Sequence, residues 1–184
     1  MGLLRYNVAM SLDGYLGPHD GSTAWITSDR AIDFDALYAE FDTFVIGRKT
    51  YEELRRMGDE KPLGHYPASK ILVVSRTLVP EDNPNVTILR DDFLSEIKRR
   101  KGETGKDIWL FGGGELLGAC LDVKLVDTIE VAIIPKLLRG GVKMVSELLE
   151  SVSLLGQTLE AVSVNKLEAS GIVMCVYKVV YSEE

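Results

Sequence analysis

Apolar and polar positions alternate at the start of the chain. Leu4, Tyr6, Val8 and Met10 fall on one side of an extended backbone and Leu3, Arg5, Asn7 and Ala9 on the other, which predicts a first β-strand within MGLLRYNVAM. SLDGYLGPHDGST (11–23) breaks that rhythm with Gly, Pro, Asp and Ser, and reads as a long loop held by turn formers and not by packing. From Ser28 a helical period takes over. Phe34, Leu37, Tyr38 and Phe41 stand at i, i+3, i+4 and i+7, with Asp33, Asp35 and Glu40 on the other face and Ser28 or Asp29 placed to cap.

DTFVIG (42–47) and KILVVS (70–75) are short apolar runs, as strands covered on both faces require. RKTYEELRRMG (48–58) between them is helical, with Thr50 as its expected cap. NVTILR (85–90) is a shorter strand, and DDFLSEIKRR (91–100) a helix opened by two acids with Phe93, Leu94 and Ile97 facing inward. DIWLFGGGELLGACL (107–121) repeats the unit of buried strand, glycine turn and helix. LVDTIEVAIIP (125–135) is a long strand ended by Pro135, KLLRGGVKM (136–144) a loop, and residues 158–181 two long strands joined at Ala169, Ser170 and Gly171. The expected fold is one α/β domain over residues 1–184: a mainly parallel central sheet flanked by helices, with an antiparallel C-terminal hairpin.

Composition narrows the classes. The 184 residues are 46% hydrophobic and 27% charged, with 21 Lys plus Arg against 28 Asp plus Glu, a net charge of -7. Such a surface repels phosphate backbones and anionic membranes, so neither nucleic acid nor membrane is an expected partner. No apolar stretch approaches the length of a membrane span, and a cytoplasmic protein is expected. Cys120 and Cys175 sit in apolar segments as reduced core thiols. His19 and His65 lie in Gly/Pro-containing loops and no motif sets a nucleophile beside them, while Trp109 reads as core. No metal site is expected. The long terminal strands leave an edge that a second subunit would cover, so a homodimer is expected.

Ligands of open α/β sheets bind beyond the carboxyl ends of the strands, where loops and helix N-termini converge. Ala9–Leu16, Gly47–Tyr51, Ser75–Thr77 and Gly112–Leu116 should therefore share one site. Gly112, Gly113 and Gly114 allow a phosphate to approach the backbone, although a close helix-to-sheet turn explains them equally well, and GxGxxG is absent because Leu117 replaces the last glycine. Arg48, Lys49 and Thr50 open a helix where cations without an anion are unfavourable, and Ser75, Arg76 and Thr77 follow the next strand. Each cluster alone reads as a solvated loop charge. Two of them after successive strands of an acidic chain point to an anion pocket.

SLDGYLG (11–17), GRKTY (47–51), SR (75–76), GGGEL (112–116) and PKLLRGG (135–141) together resemble the dihydrofolate reductase superfamily, and most closely the branch containing the C-terminal reductase domain of bifunctional riboflavin-biosynthesis enzymes. The resemblance implies an NADPH-dependent reductase acting on a small pyrimidine- or pteridine-like heterocycle. Alternatives are a folate reductase proper and an NADP-binding module without turnover. By motif, Arg48, Lys49, Thr50, Ser75 and Arg76 would surround the adenosine 2′-phosphate and pyrophosphate. Gly47 and Gly112 belong to the same edge, Gly113, Gly114, Glu115 and Leu116 would meet the pyrophosphate through backbone, and Ala9 and Leu16 would flank the nicotinamide. The resemblance also implies a carboxylate near the first helix. Asp29, beside apolar Trp25 and Phe34, is the expected proton donor with a raised pKa, unless it only caps the helix. Asp13, Trp25, Arg30 and Asp33 are the substrate-side candidates, Asp13 with a turn-shaping role as its simpler reading. Glu40 and Asp42 stand where riboflavin-pathway reductases carry basic residues for a substrate phosphate, which leaves Arg30 as the nearest cation. The zinc-binding deaminase half of the bifunctional enzymes is not present in this chain.

Overall fold

The computed structural model describes residues 2–56, 62–145 and 156–181. Eight strands form one sheet in the order β5-β4-β3-β6-β1-β7-β10-β9. These are β1 (Leu4–Ser11), β3 (Phe41–Gly47), β4 (Ile71–Val74), β5 (Thr87–Leu89), β6 (Asp107–Gly112), β7 (Thr128–Ile134), β9 (Thr158–Lys166) and β10 (Val173–Val180). The six strands from β5 to β7 are mutually parallel, and β10 and β9 complete the sheet antiparallel, as the sequence predicts. A separate two-stranded ladder pairs β2 (Tyr15–Gly17) with β8 (Val142–Lys143).

The helices α1 (Phe34–Ala39), α2 (Arg48–Arg56), α3 (Phe93–Gly102) and α4 (Gly114–Asp122) divide between the two faces. Ile97 of α3 and Leu116, Leu117 and Cys120 of α4 pack on Leu4, Tyr6, Val45, Leu72 and Leu110. Tyr51 of α2, with Leu37 and Tyr38 of α1, packs on Phe44, Ile46, Val73 and Trp109 across the sheet. The alternation along β1 follows the expected parity: Leu4 and Tyr6 are fully buried, Val8 and Met10 join the same cluster, and Arg5 and Asn7 face the other way. Covering both faces explains why β3 and β4 read as continuous apolar runs. Cys120 and Cys175 are free and buried, and burial pushes the Cys120 thiol up to about 12.

Several local expectations are corrected. The first helix begins at Phe34 and not near Ser28, because Asp33 is its cap and accepts the Ala36 N–H at 2.9 Å. It ends at Ala39, so Phe41 belongs to β3, and Phe34 is exposed. The loop after β1 is also not held by turn formers alone. Residues 15–17 pair with β8 inside the segment read as a loop, and Trp25 is buried with Ile134 and Ile172. Met57 and Gly58 of the predicted second helix lie outside the described residues. Among the described residues no helix is long and apolar enough to cross a membrane, and no cluster of ligating side chains suits a metal ion.

Candidate functional site

Parallel pairing aligns the strand ends. Gly47 stands opposite Val74, and Ile46 opposite Gly112, so β3, β4 and β6 finish level at the carboxyl edge. Gly112 (φ 153°) and Gly113 (φ 103°) hold backbone angles that L side chains rarely adopt, and only at Gly114 does α4 begin. A Cβ on Gly47 would sit 3.3 Å from the Gly112 carbonyl oxygen, and one on Gly112 would sit 3.5 Å from Thr50 Oγ1. β3 and β6 thus meet backbone to backbone, the Thr50 side chain covers buried Gly112, and Gly47 with half-buried Gly113 forms a glycine shoulder beside the first turn of α4. Glu115 of that turn is exposed, whereas Leu116 is buried in the core and offers the edge only its backbone.

Cations flank this shoulder. β3 runs straight into α2, so Arg48 and Lys49 occupy the helix's first turn and Thr50 lies inside the helix, not at its cap as predicted. Lys49 is exposed, while Arg48 Nη1 donates to Glu52 Oε1 at 2.7 Å and Oε2 at 2.9 Å. On the neighbouring strand end, Ser75 is buried and its hydroxyl accepts the N–H groups of Thr77 and Leu78 at 3.2 and 3.0 Å. The Ser75 side chain therefore shapes the turn, and Arg76 and Thr77 are what the turn displays. Arg90, which the sequence reading did not single out, braces the outside of the turn by donating to Arg76 O at 2.7 Å and Leu78 O at 3.3 Å. Its position just after a third strand end was the available signal.

The acidic candidates are engaged locally, Asp13 in the turn-shaping role expected as its simpler reading. Asp29 Oδ1 accepts the Ala31 N–H at 2.9 Å, while Oδ2 is shut off from solvent without a partner at hydrogen-bond geometry. The Ser170 hydroxyl, followed by the Ala31 N–H, holds the Asp29 carboxyl below the usual range, the reverse of the raised pKa expected from apolar neighbours. That expectation fails because Phe34 turns to solvent and the β9–β10 turn supplies donors instead. Asp33 is engaged as the α1 cap. Asp13 accepts from the Ser11 hydroxyl at 2.6 Å, Leu138 N–H at 3.1 Å and Arg139 N–H at 2.7 Å, which lowers its pKa to about 2 and makes it the tie between SLDG and PKLLRGG. Ala9, Ala132 and Met174 pack against the cluster of Trp25, Ile134 and Ile172; Leu16 sits half-buried in β2, and Arg30 is exposed. Glu40 and Asp42 are occupied by Arg5 at 2.5 Å and Lys70 at 3.2 Å.

A polar network on the same sheet face was not foreseen. Glu130, 8% exposed, accepts from Arg5 Nε and Nη2 at 2.6 and 2.9 Å, from Asn7 Nδ2 at 2.8 Å and from Thr128 Oγ1 at 2.9 Å. The carboxylate fixes the Asn7 amide, so its oxygen is the atom left to accept a further hydrogen bond two residues before Ala9. In sequence these were an isolated acid and amide on separate strands, paired only by the β1–β7 register. Apart from this edge, a groove of about 590 Å³ lies between Phe34, Tyr38, His65 and Tyr66. His65, exposed as expected, stacks on Tyr66 at 4.1 Å, and Trp109 is buried as expected.

The class is that of single-sheet α/β proteins with a parallel centre, an antiparallel C-terminal pair and a glycine edge flanked by cations. The chain belongs to the RibD C-terminal domain family, whose model matches residues 3–172. It is similar to two Bacillus subtilis (strain 168) proteins, the uncharacterized proteins YyaP and YwjB. Each is 28% identical, over 159 and 151 residues, covering 80% of this chain and 82% and 84% of theirs. Its fold matches that of a protein provisionally assigned to riboflavin biosynthesis in Shewanella sp. PV-4 (TM-score 0.75, 22% identity, 98% of this chain and 100% of that one). It also matches a pyrimidine reductase-like protein of Corynebacterium diphtheriae (TM-score 0.66, 14% identity, 98% and 93%). The family is one of reductases.

Proposed function

We propose that the protein is an NADPH-dependent oxidoreductase acting on a pyrimidine- or pteridine-like heterocycle. The observation that carries this reading is the pair of cation-bearing turns, Arg48–Lys49 and Arg76, leaving adjacent parallel strands that end level beside a glycine shoulder. Such an edge fits a phosphorylated dinucleotide: half-buried Gly47 and Gly113 admit a pyrophosphate to the backbone, and the cations suit a 2′-phosphate dianion. Bound NADPH would supply a hydride to the carbon of a C=N bond, whose electron pair moves to nitrogen and is protonated. The side chains position and shield. Trp25 and Ile32 keep water from the sheet face around Ala9, and Asn7, oriented by Glu130, presents an amide oxygen to a ring N–H. Asp29, held ionised, anchors its loop and does not donate the proton, which comes from solvent.

Fluorescence titration tests the cofactor half. Arg48→Ala with Arg76→Ala should weaken NADPH by about tenfold or more while NADH changes by roughly twofold, since two charge-assisted contacts to the 2′-phosphate are lost. Equal loss for both nucleotides would contradict the assignment. The Asp29 carboxyl, held below the usual range and so ill suited to donate a proton, favours a second reading, a nucleotide-binding module without turnover. NADPH oxidation with any member of a dihydropterin and aminopyrimidine panel would exclude it, and low-concentration methotrexate inhibition would mark a folate reductase proper.

A further inference from the structure

The guanidinium assigned to the cofactor phosphate already has a partner. Arg48 Nη1 touches both oxygens of Glu52 one turn along α2, with the two side chains 40% and 37% exposed. We propose that Glu52 is a specificity-determining residue: its carboxylate competes with the cofactor's phosphate for Arg48, so capture of the dinucleotide is an exchange of anions on one cation. The proposal rests on the NADPH reading above.

Three features make this pair exchangeable. It places the cation N-terminal to the acid at i,i+4, the weaker order for a helical ion pair. It sets Arg48 in the first turn of α2, where the positive helix end opposes it. It is also half exposed, so solvent screens it, in contrast to Arg5 and Glu130 at 15% and 9% exposure with several bonds apiece. A phosphate dianion among Arg48, Lys49 and Arg76 offers twice the charge of the carboxylate and more acceptor oxygens. Once displaced, Glu52 remains one helical turn from that dianion as a like charge. Wild-type affinity for the phosphorylated nucleotide is therefore held down by a residue that makes no contact with it in the bound state, whereas an unphosphorylated nucleotide draws much less on Arg48.

The test is a gain of binding, which misfolding cannot imitate. NADPH and NADH are titrated by fluorescence against the wild type, Glu52→Gln, Arg48→Ala and the double variant. Glu53→Gln serves as a matched charge removal, since Glu53 pairs with Arg56. Glu52→Gln should tighten NADPH roughly threefold, as removing an exposed competing pair allows. NADH should move less than about twofold, and the gain should shrink as salt rises. In the Arg48→Ala background Glu52→Gln should add nothing. Unchanged or weaker NADPH binding in Glu52→Gln, an equal gain in Glu53→Gln, or a gain that survives loss of Arg48 would each overturn the competition while leaving the cofactor reading intact. A wild type that does not prefer NADPH to NADH would overturn both.

Discussion

Gly141→Ala should damage the clasp that joins the segment after β1 to the segment after β7. Gly141 has φ 132°, and a Cβ there would lie 2.1 Å from the Gly17 carbonyl oxygen, 3.0 Å from its carbon and 3.1 Å from Pro18 Cα. Ordinary carbon–oxygen contacts are about 3.3 Å or longer, so the strands must part by roughly an ångström. They are held by the Tyr15–Lys143 and Gly17–Val142 pairs, by Leu12 N–H to Lys136 O at 2.9 Å and Met144 N–H to Gly14 O at 3.1 Å, and by Asp13. Backbone strain costs about 1–3 kcal/mol and loss of two hydrogen bonds about 1 kcal/mol each, a sum of roughly 3–5 kcal/mol. For a chain of this length each kcal/mol lowers Tm by about 2–4 °C, so thermal unfolding should fall by roughly 6–20 °C. Hydrogen exchange should speed at residues 15–17 and 142–143 before the central strands. Gly140→Ala, whose Cβ would meet nothing within 4 Å, is the control and should shift Tm by no more than about 2 °C. A Gly141→Ala protein that melts with the wild type and keeps those amides protected would refute the reasoning.

Two other perturbations probe the polar ties. Glu130→Gln removes the charge that pairs Arg5 on a nearly buried face and turns one of its two acceptor oxygens into a donor, so chemical denaturation should show a loss of about 3 kcal/mol; a loss below about 1 kcal/mol would mean that solvent or Glu40 and Asp107 replace it. Asp13, with its pKa lowered from 3.8 to about 2, contributes a tie that is complete above the unfolded value and lost as pH falls through about 2. Wild-type stability should therefore decline between about pH 5 and pH 2 more steeply than that of Asp13→Asn, and parallel acid profiles would sink this account.

The element order and the parallel centre of the sheet were legible because burial on both faces leaves an unmistakable apolar run in β3, β4 and β6. What stayed hidden were features made by contacts across long sequence separations. Tyr15–Leu16–Gly17 is too short and too mixed to announce a strand, and it is one only because Val142 and Lys143 come to pair with it. The start of α1 was misplaced because Ser28, Asp29 and Asp33 are equivalent as potential caps. The packing of Ile32 on the Trp25 cluster and the Asp29 bond to the Ala31 N–H hold residues 29–32 outside the helix, which leaves Asp33 in that role.

The same distinction runs through the site. Charge type and strand-end position were readable for Arg48, Lys49 and Arg76, because a parallel sheet sends every crossover to one edge and the register aligns Gly47 with Val74. Partner was not readable. Ser75, Asp13 and Asp33 all have side chains suited to a ligand, yet each spends hydrogen bonds on backbone or a neighbouring hydroxyl, and the loops they shape carry the residues left over. A charged group can serve a ligand only with valences the fold has not consumed, or with a partner weak enough to surrender. Lys49 and Arg76 meet the first condition through exposure, and Arg48 meets the second through Glu52. In a chain of net charge -7, this is how an acidic protein can keep a local site for a phosphate: the deficit of cations matters less than which few are left without a strong internal anion.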